Sequence, residues 1–197
     1  MENEIAKPVA SEIASSAVSS GLRTAGIIVG GSALVGICSH IALPLWFTPV
    51  PLTLQPFAVL LLGLLLGPRM AAATLGAYLL EGAAGLPVFT PGFALGMGIA
   101  HLLGPTGGYL MSYPAAAALV AWLRKHSRRG FKSAMLSAAL GDALILLCGL
   151  VWLALWTHAS MGSAFALAVL PFLPGDALKI VAAAAVAKGL DRVRRTQ

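Results

Sequence analysis

Apolar positions along this chain fall in long unbroken runs instead of alternating, and the polar residues collect between the runs. About 20 consecutive apolar residues cross a bilayer as a helix, and roughly 17 suffice. Six stretches reach or approach that length, at 22–43, 52–67, 69–86, 106–123, 132–156 and 174–189. Each is predicted to be a membrane-spanning helix. The second is short and begins within the turn-rich PVPLTLQP, and Gly67-Pro68-Arg69 makes a tight connection from it to the third. Residues 87–105 contain no Lys, Arg, Asp or Glu, but Pro87, Pro91, Pro105 and several glycines argue against a continuous helix. That stretch and 157–173 are expected to be loops folded back onto the bundle.

Composition points the same way. Of 197 residues, 58% are hydrophobic and 10% charged, with a mean hydropathy of +0.88, too little charge to cover a soluble domain. The expectation is one all-α integral membrane domain over 22–197, preceded by a mobile or surface-lying tail over 1–21. That tail holds three glutamates, a proline and several serines, and lacks the basic and apolar regions of a signal peptide. Cys38 and Cys148 are far apart in apolar runs and suggest neither a disulfide framework nor a zinc site. The histidines form no i,i+4 pair, so no metal is expected.

The net charge of +6 changes meaning once the charges are placed. With both termini in the cytoplasm, Lys7, Arg23, Arg69, Arg124, Lys125, Arg128, Arg129, Lys132, Lys188, Arg192, Arg194 and Arg195 all lie inside. Of the 13 basic residues, Lys179 alone stands away from the cytoplasmic ends of the spans, and none falls in an outer loop. This is the positive-inside pattern. The basic runs set topology and touch anionic lipid, and nucleic acid is not expected as a partner. Trp46, Trp152 and Trp156 at outer ends, with Trp122 at an inner one, suggest an aromatic belt.

Four ionisable groups remain at membrane depth: Glu81, Asp142, Asp176 and Lys179. Each costs about 2.5–3.5 kcal/mol at the bilayer centre, so four bare ones would cost on the order of 10 kcal/mol. The last span runs from outside to inside, which puts Asp176 in its first turn, after Pro174-Gly175. A carboxylate there is positioned to accept hydrogen bonds from free backbone N–H groups. Lys179, at i+3, stands one turn deeper on the same face. Either the two simply pair and lock the helix in place, or they line a pocket open to the outside. The second reading draws on the Pro-Gly break and on irregular, glycine-rich segments at the same outer face, since irregular backbone at membrane depth is tolerated where it lines a cavity or is buried in protein. Tyr78 and Glu81, three apart, share a helical face; Glu81 either serves the pocket or caps loop amides. Asp142, about 15 Å along the fifth span and near mid-membrane, faces either a neighbouring helix or the pocket.

Four segments in order, PVPLTLQPFAVLLLGLLLGPR, GAYLLEGAAGLPVF, GPTGGYL and PFLPGDALK, resemble the BioY family, the biotin-specific substrate-binding S components of energy-coupling factor (ECF) transporters. The resemblance covers about residues 22–190 and implies a six-helix S-component bundle in the bacterial cytoplasmic membrane, with a vitamin pocket near the outer surface capped by loops. It implies biotin as ligand, no cofactor, and Asp176, Lys179, Thr53, Gln55, Tyr78, Glu81 and Phe89 as binding residues. Biotin offers ureido N–H donors suited to Asp176, a ureido carbonyl or a valerate carboxylate suited to Lys179, and a thiophane ring that Tyr78 and Phe89 would pack.

No Walker A sequence occurs, so any ATP must bind another protein. The resemblance implies a transmembrane coupling (T) subunit carrying two ATPase subunits, docked on a small-residue face of the first helix. Gly26 and Gly30, and Ser32 and Gly36, each four apart, are the candidates, with packing inside the chain's own bundle as the alternative. Catalysis is not expected, because no nucleophile–base or metal set stands at useful spacing. An S component for another vitamin, or a small membrane enzyme, are the rival readings.

Overall fold

The computed structural model describes residues 2–91, 98–128 and 130–196, with side chains described over 19–91, 98–128 and 130–193. Helix α1 (Glu2–His40) leads through an antiparallel hairpin, β1 (Ala42–Leu43) and β2 (Leu52–Thr53), into α2 (Gln55–Leu65) and α3 (Pro68–Ala83). The one-turn α4 (Ile99–Leu102) precedes α5 (Gly107–His126), α6 (Phe131–Thr157), α7 (Met161–Ala168) and α8 (Leu173–Thr196).

Local chemistry explains most of the boundaries. Pro68 starts α3 at a position where its missing N–H costs nothing, and the extended Gly67 precedes it. The same helix ends on Gly85 at φ 94°, where Gly85 N–H donates to Gly82 O and Leu86 N–H donates to Glu81 O. Only a residue tolerant of positive φ closes a helix in this way. The basic Arg124, Lys125 and His126 occupy the last turn of α5, where the helix dipole favours them.

Segments before and between the expected spans carry helix of their own. Residues 157–173 are not a plain loop: α7 is an eight-residue helix, started by Ser160, whose Oγ accepts from Ser163 N–H at 3.3 Å. It meets α8 at a 51° bend. The expected loop 87–105 contains α4, while its residues 92–97 lie outside the described residues. The segment expected as a separate tail is helical in backbone from Glu2 onward and continuous with the first apolar run. By length and composition, Ser19–His40 and Phe131–Thr157 are able to cross a membrane, and the bent pair α7–α8 makes a third such span. Their outer faces suit lipid: Leu22, Val29 and Ile37 on α1, and Leu136, Leu140, Leu147, Val151 and Leu155 on α6, are exposed in helical register.

Small residues bring the helices together, as expected where lipid removes the hydrophobic drive between them. Helix α5 packs between α3 and α6, while α2 packs on α5, α6 and α8. Ala134, Ala138, Ala183, Ala184 and Ala187 are buried around Leu60 and Val120. A side chain at Gly141 would overlap Val120, so α5 and α6 touch there only because α6 has none.

The two ends of the bundle differ in chemistry. The α2–α3 turn at Gly67, Arg124 and Lys125 at the end of α5, and Asp191 near the end of α8 line one open hollow. Arg124 Nη2 pairs with Asp191 Oδ2 there at 2.7 Å. These connections, separate in sequence, are among those the charge pattern assigned to a single side. At the opposite end stand the hairpin, the C-terminal end of α3 and the α7–α8 bend. Trp152 donates its indole N–H to Gly104 O at 2.7 Å and fastens α6 to the segment before α5.

Candidate functional site

A cavity opens between α2, α5, α6 and α8 at the hairpin end, with an empty volume of about 510 Å³ counted out to its mouth. Its wall is mixed: Val50, Pro51, Pro56, Leu110, Ile145, Leu146 and Phe172 supply apolar surface, and Tyr109 and Tyr113 supply rings. The polar groups are about as numerous as the apolar ones. They are Thr53, Gln55, Thr90, His101, Thr106, Asp142, Asp176 and Lys179.

Asp176 and Lys179 both line this cavity. Lys179 Nζ donates to Asp176 Oδ1 at 2.8 Å, with both residues buried. The pair is therefore joined and also faces a hollow, so the two readings of it are not exclusive. The route to this placement differs from the expected one. Pro174-Gly175 does not break the helix but forms its first turn, since α8 begins at Leu173 and Asp176 N–H already donates to Phe172 O at 2.8 Å. Proline is at home in a first turn because the N–H it lacks would have no partner there. Lys179, not a set of free backbone amides, is the hydrogen-bond donor to the Asp176 carboxylate.

Gln55 lines the cavity and also organises its rim. Its Oε1 accepts from Thr53 Oγ1 at 3.2 Å and from Thr90 Oγ1 at 3.4 Å, and its Nε2 donates to the Tyr78 hydroxyl at 2.6 Å. The Tyr78 hydroxyl in turn donates to Val88 O at 3.0 Å. One buried amide thus ties the hairpin, α3 and the segment after α3 together, and one of its N–H donors is left over.

Tyr78, Phe89 and Glu81, also expected at the site, are not among the residues that line this cavity. Tyr78 is fully buried with its hydroxyl committed to Gln55 and Val88. Phe89 packs edge-on against Tyr78 at 5.5 Å and stacks on His101 at 5.0 Å. Its ring occupies the space where a side chain at Gly82 would sit, so Gly82 and Phe89 fit as one unit. The Glu81 carboxylate accepts from Ser32 Oγ and joins α3 to α1.

The first helix splits in the same way. Ser32 and Gly36, expected on a partner face, turn inward: Ser32 meets Glu81, and Gly36 lies under Val88. Gly26 and Gly30 are exposed, with nothing within 4 Å of where a side chain would begin.

Several cavity residues carried little sequence signal. Tyr109 and Tyr113, four apart on α5, present one face to the cavity, and Tyr109 donates to Ala168 O at 2.7 Å. Two tyrosines at i,i+4 inside an otherwise apolar span are the trace that would have found them. His101 looks like an isolated histidine in sequence and reaches the cavity through α4. Asp142 lines the cavity as well. Among the described residues, no group of His, Cys, Asp and Glu is arranged to hold a metal ion.

A family model described as the BioY family matches residues 10–196. A probable biotin transporter BioY of Pyrococcus horikoshii is 42% identical over 142 residues, 72% of this chain and 81% of the relative. A biotin transporter BioY of Thermotoga maritima is 33% identical over 176 residues, 89% of this chain and 95% of the relative. The crystal structure of an S component for biotin from an ECF-type ABC transporter is similar with a TM-score of 0.79 at 26% identity, covering 88% of this chain and 93% of that one.

Proposed function

The chain belongs to the BioY family, and we propose that its part in biotin uptake is capture: it takes biotin from the outer side into the cavity between α2, α5, α6 and α8. It is a membrane transport component and not an enzyme. The observation that carries the reading is the buried Asp176–Lys179 pair, which lines a cavity with apolar and aromatic side chains beside it. An ion pair at membrane depth is stable without a ligand, but its opening onto a mixed polar and apolar hollow supplies donors and acceptors for a ureido ring beside apolar walls for a thiophane.

In this reading the chain crosses the cytoplasmic membrane six times through α1, α2, α3, α5, α6 and the bent α7–α8, with both termini inside. The gathering of Gly67, Arg124, Lys125 and Asp191 at one end supports that orientation, as does the placement of the cavity at the other end. The hairpin and the segment after α3, held by Gln55 and Tyr78, form the rim that closes over ligand. Energy comes from a coupling T subunit and two ATPase subunits, docked on the exposed Gly26–Gly30 face of α1.

The test is a binding screen on detergent-purified protein with biotin, biocytin, thiamine and riboflavin. Tight, saturable binding of biotin with none of thiamine or riboflavin is expected. Binding of either of the latter without biotin overturns the assignment.

A further inference from the structure

The hollow at the other end of the bundle shares no lining residue with the cavity. Its walls are of two kinds. Leu64, Leu65 and Leu66, at the end of α2, give it an apolar side, and Arg124 and Lys125 of α5 with Asp191 of α8 give it a polar one. An apolar wall and a cationic wall facing one space match a molecule that is itself apolar at one end and anionic at the other.

Arg124 is held in place without being used up. Its Nη2 donates to Asp191 Oδ2 at 2.7 Å and its Nη1 to Gly130 O at 3.3 Å, with the side chain 11% exposed. A guanidinium has five N–H donors, so this one keeps some for an incoming anion. Lys125 is exposed and has no ion-pair partner among the described residues. The lining therefore sets two positive charges against one negative. An anion is drawn in by that balance, whereas a cation is repelled by Arg124 and Lys125. Asp191 narrows the choice of anion. Its carboxylate repels a doubly charged phosphate, but accepts a hydrogen bond from a hydroxyl. A phosphodiester with a hydroxylated alcohol satisfies both sides of the pair. Basic hollows between helices on the cytoplasmic side suit anionic lipid headgroups, which the inner leaflet supplies in abundance.

We propose that this hollow is a binding site for an inner-leaflet glycerophospholipid with a phosphoglycerol headgroup. The phosphodiester lies against Arg124 and Lys125, a headgroup hydroxyl donates to Asp191, and the chains leave along the three leucines. The site rests on the membrane orientation given above and not on the identity of the cavity's ligand. Bound lipid clasps the ends of α2, α5 and α8 together, so its occupancy is readable as thermal stability.

The test is thermal unfolding of the full-length protein in lipid-free detergent. It is titrated with dioctanoyl phosphatidylglycerol, dioctanoyl phosphatidylethanolamine and inorganic phosphate, and biotin binding is measured on the same samples. Phosphatidylglycerol is expected to raise the unfolding temperature saturably, and phosphate at the same concentration is not. Lys125→Gln is expected to raise the lipid concentration at half effect about fivefold, as for loss of one basic contact to an anionic headgroup. Lys132→Gln removes an equal charge from an exposed position outside the hollow, and should leave the titration unchanged. Equal shifts in the two variants overturn the inference, because charge anywhere at this end would then suffice. Phosphate that stabilises as well as the lipid overturns it in favour of a free-anion site. Phosphatidylethanolamine of equal potency overturns the headgroup assignment, and no effect of any lipid overturns the site itself. The phosphatidylglycerol effect in a protein that fails to bind biotin supports this site and overturns the functional reading alone.

Discussion

Gln55 Nε2 and the Tyr78 hydroxyl stand 2.6 Å apart, and through that contact the cavity wall is tied to the segment after α3. Tyr78→Phe removes the acceptor and leaves a buried amide N–H unpaired, at a cost of about 1–3 kcal/mol. Thermal unfolding in detergent should show a loss of several degrees. Because Tyr78 does not touch the cavity, biotin should still bind, with faster release as the rim loosens. A Tyr78→Phe protein with both stability and release rate unaltered would show that this contact does not govern the rim.

The Asp176–Lys179 pair separates stability from binding in a different way. Lys179→Met leaves the Asp176 carboxylate buried and bare, which costs about 3–5 kcal/mol when a buried pair is broken from one side. Adding Asp176→Leu removes the stranded charge, and the double variant should recover most of the lost stability. Biotin binding should not recover with it. If the double variant both unfolds at the original temperature and binds biotin with the original affinity, the pair is a staple and nothing more.

Gly82 and Phe89 give a steric test. Gly82→Ala drives a methyl group into the Phe89 ring, which is itself held between Tyr78 and His101. Overpacking of this kind typically costs about 1–3 kcal/mol. Gly76→Ala, on the same helix with open space around it, is the control and should be neutral or stabilising by up to about 1 kcal/mol. Equal unfolding temperatures for the two variants would mean that Phe89 moves aside freely.

These relationships also mark how far the chain could be read before its structure. The apolar runs were legible because lipid demands some 20 apolar residues for each crossing and forbids bare charge, so segments and anomalous ions both stand out. Asp176 and Lys179 were visible for that reason, and their i,i+3 spacing already joined them. Pro174-Gly175 misled because the same dipeptide that ends a helix also opens one, and only the position of Leu173 as first residue distinguishes the cases. Tyr78 and Glu81 were read as one face, yet their ends go to Gln55 and Val88 on one side and to Ser32 on the other. Spacing along a helix fixes where a side chain starts; partners from distant segments decide where it ends. Tyr109, Tyr113 and His101 escaped notice because their exposure to the cavity depends on the packing of α4, α5 and α7, which no local pattern encodes.

The exposed part of α1 carries the last prediction. Gly26 and Gly30 have nothing within 4 Å of the site of a new side chain, so Gly26→Val and Gly30→Val meet no steric barrier inside the chain. Valine at these positions should leave thermal stability and biotin affinity within about 0.5 kcal/mol of the original, as for surface substitutions generally. Against a closely packed membrane partner the effect differs, because small residues are what allow two helix backbones to approach. Copurification with the coupling and ATPase subunits, and biotin uptake driven by them, should fall sharply in Gly30→Val. Ser32→Ala should instead lower stability, by leaving Glu81 without its hydroxyl donor, with no specific effect on assembly. Full assembly of Gly26→Val and Gly30→Val with the coupling subunits would move the docking face elsewhere on the chain, and the lipid-exposed stripe of Leu140, Leu147 and Val151 on α6 would be the next surface to alter.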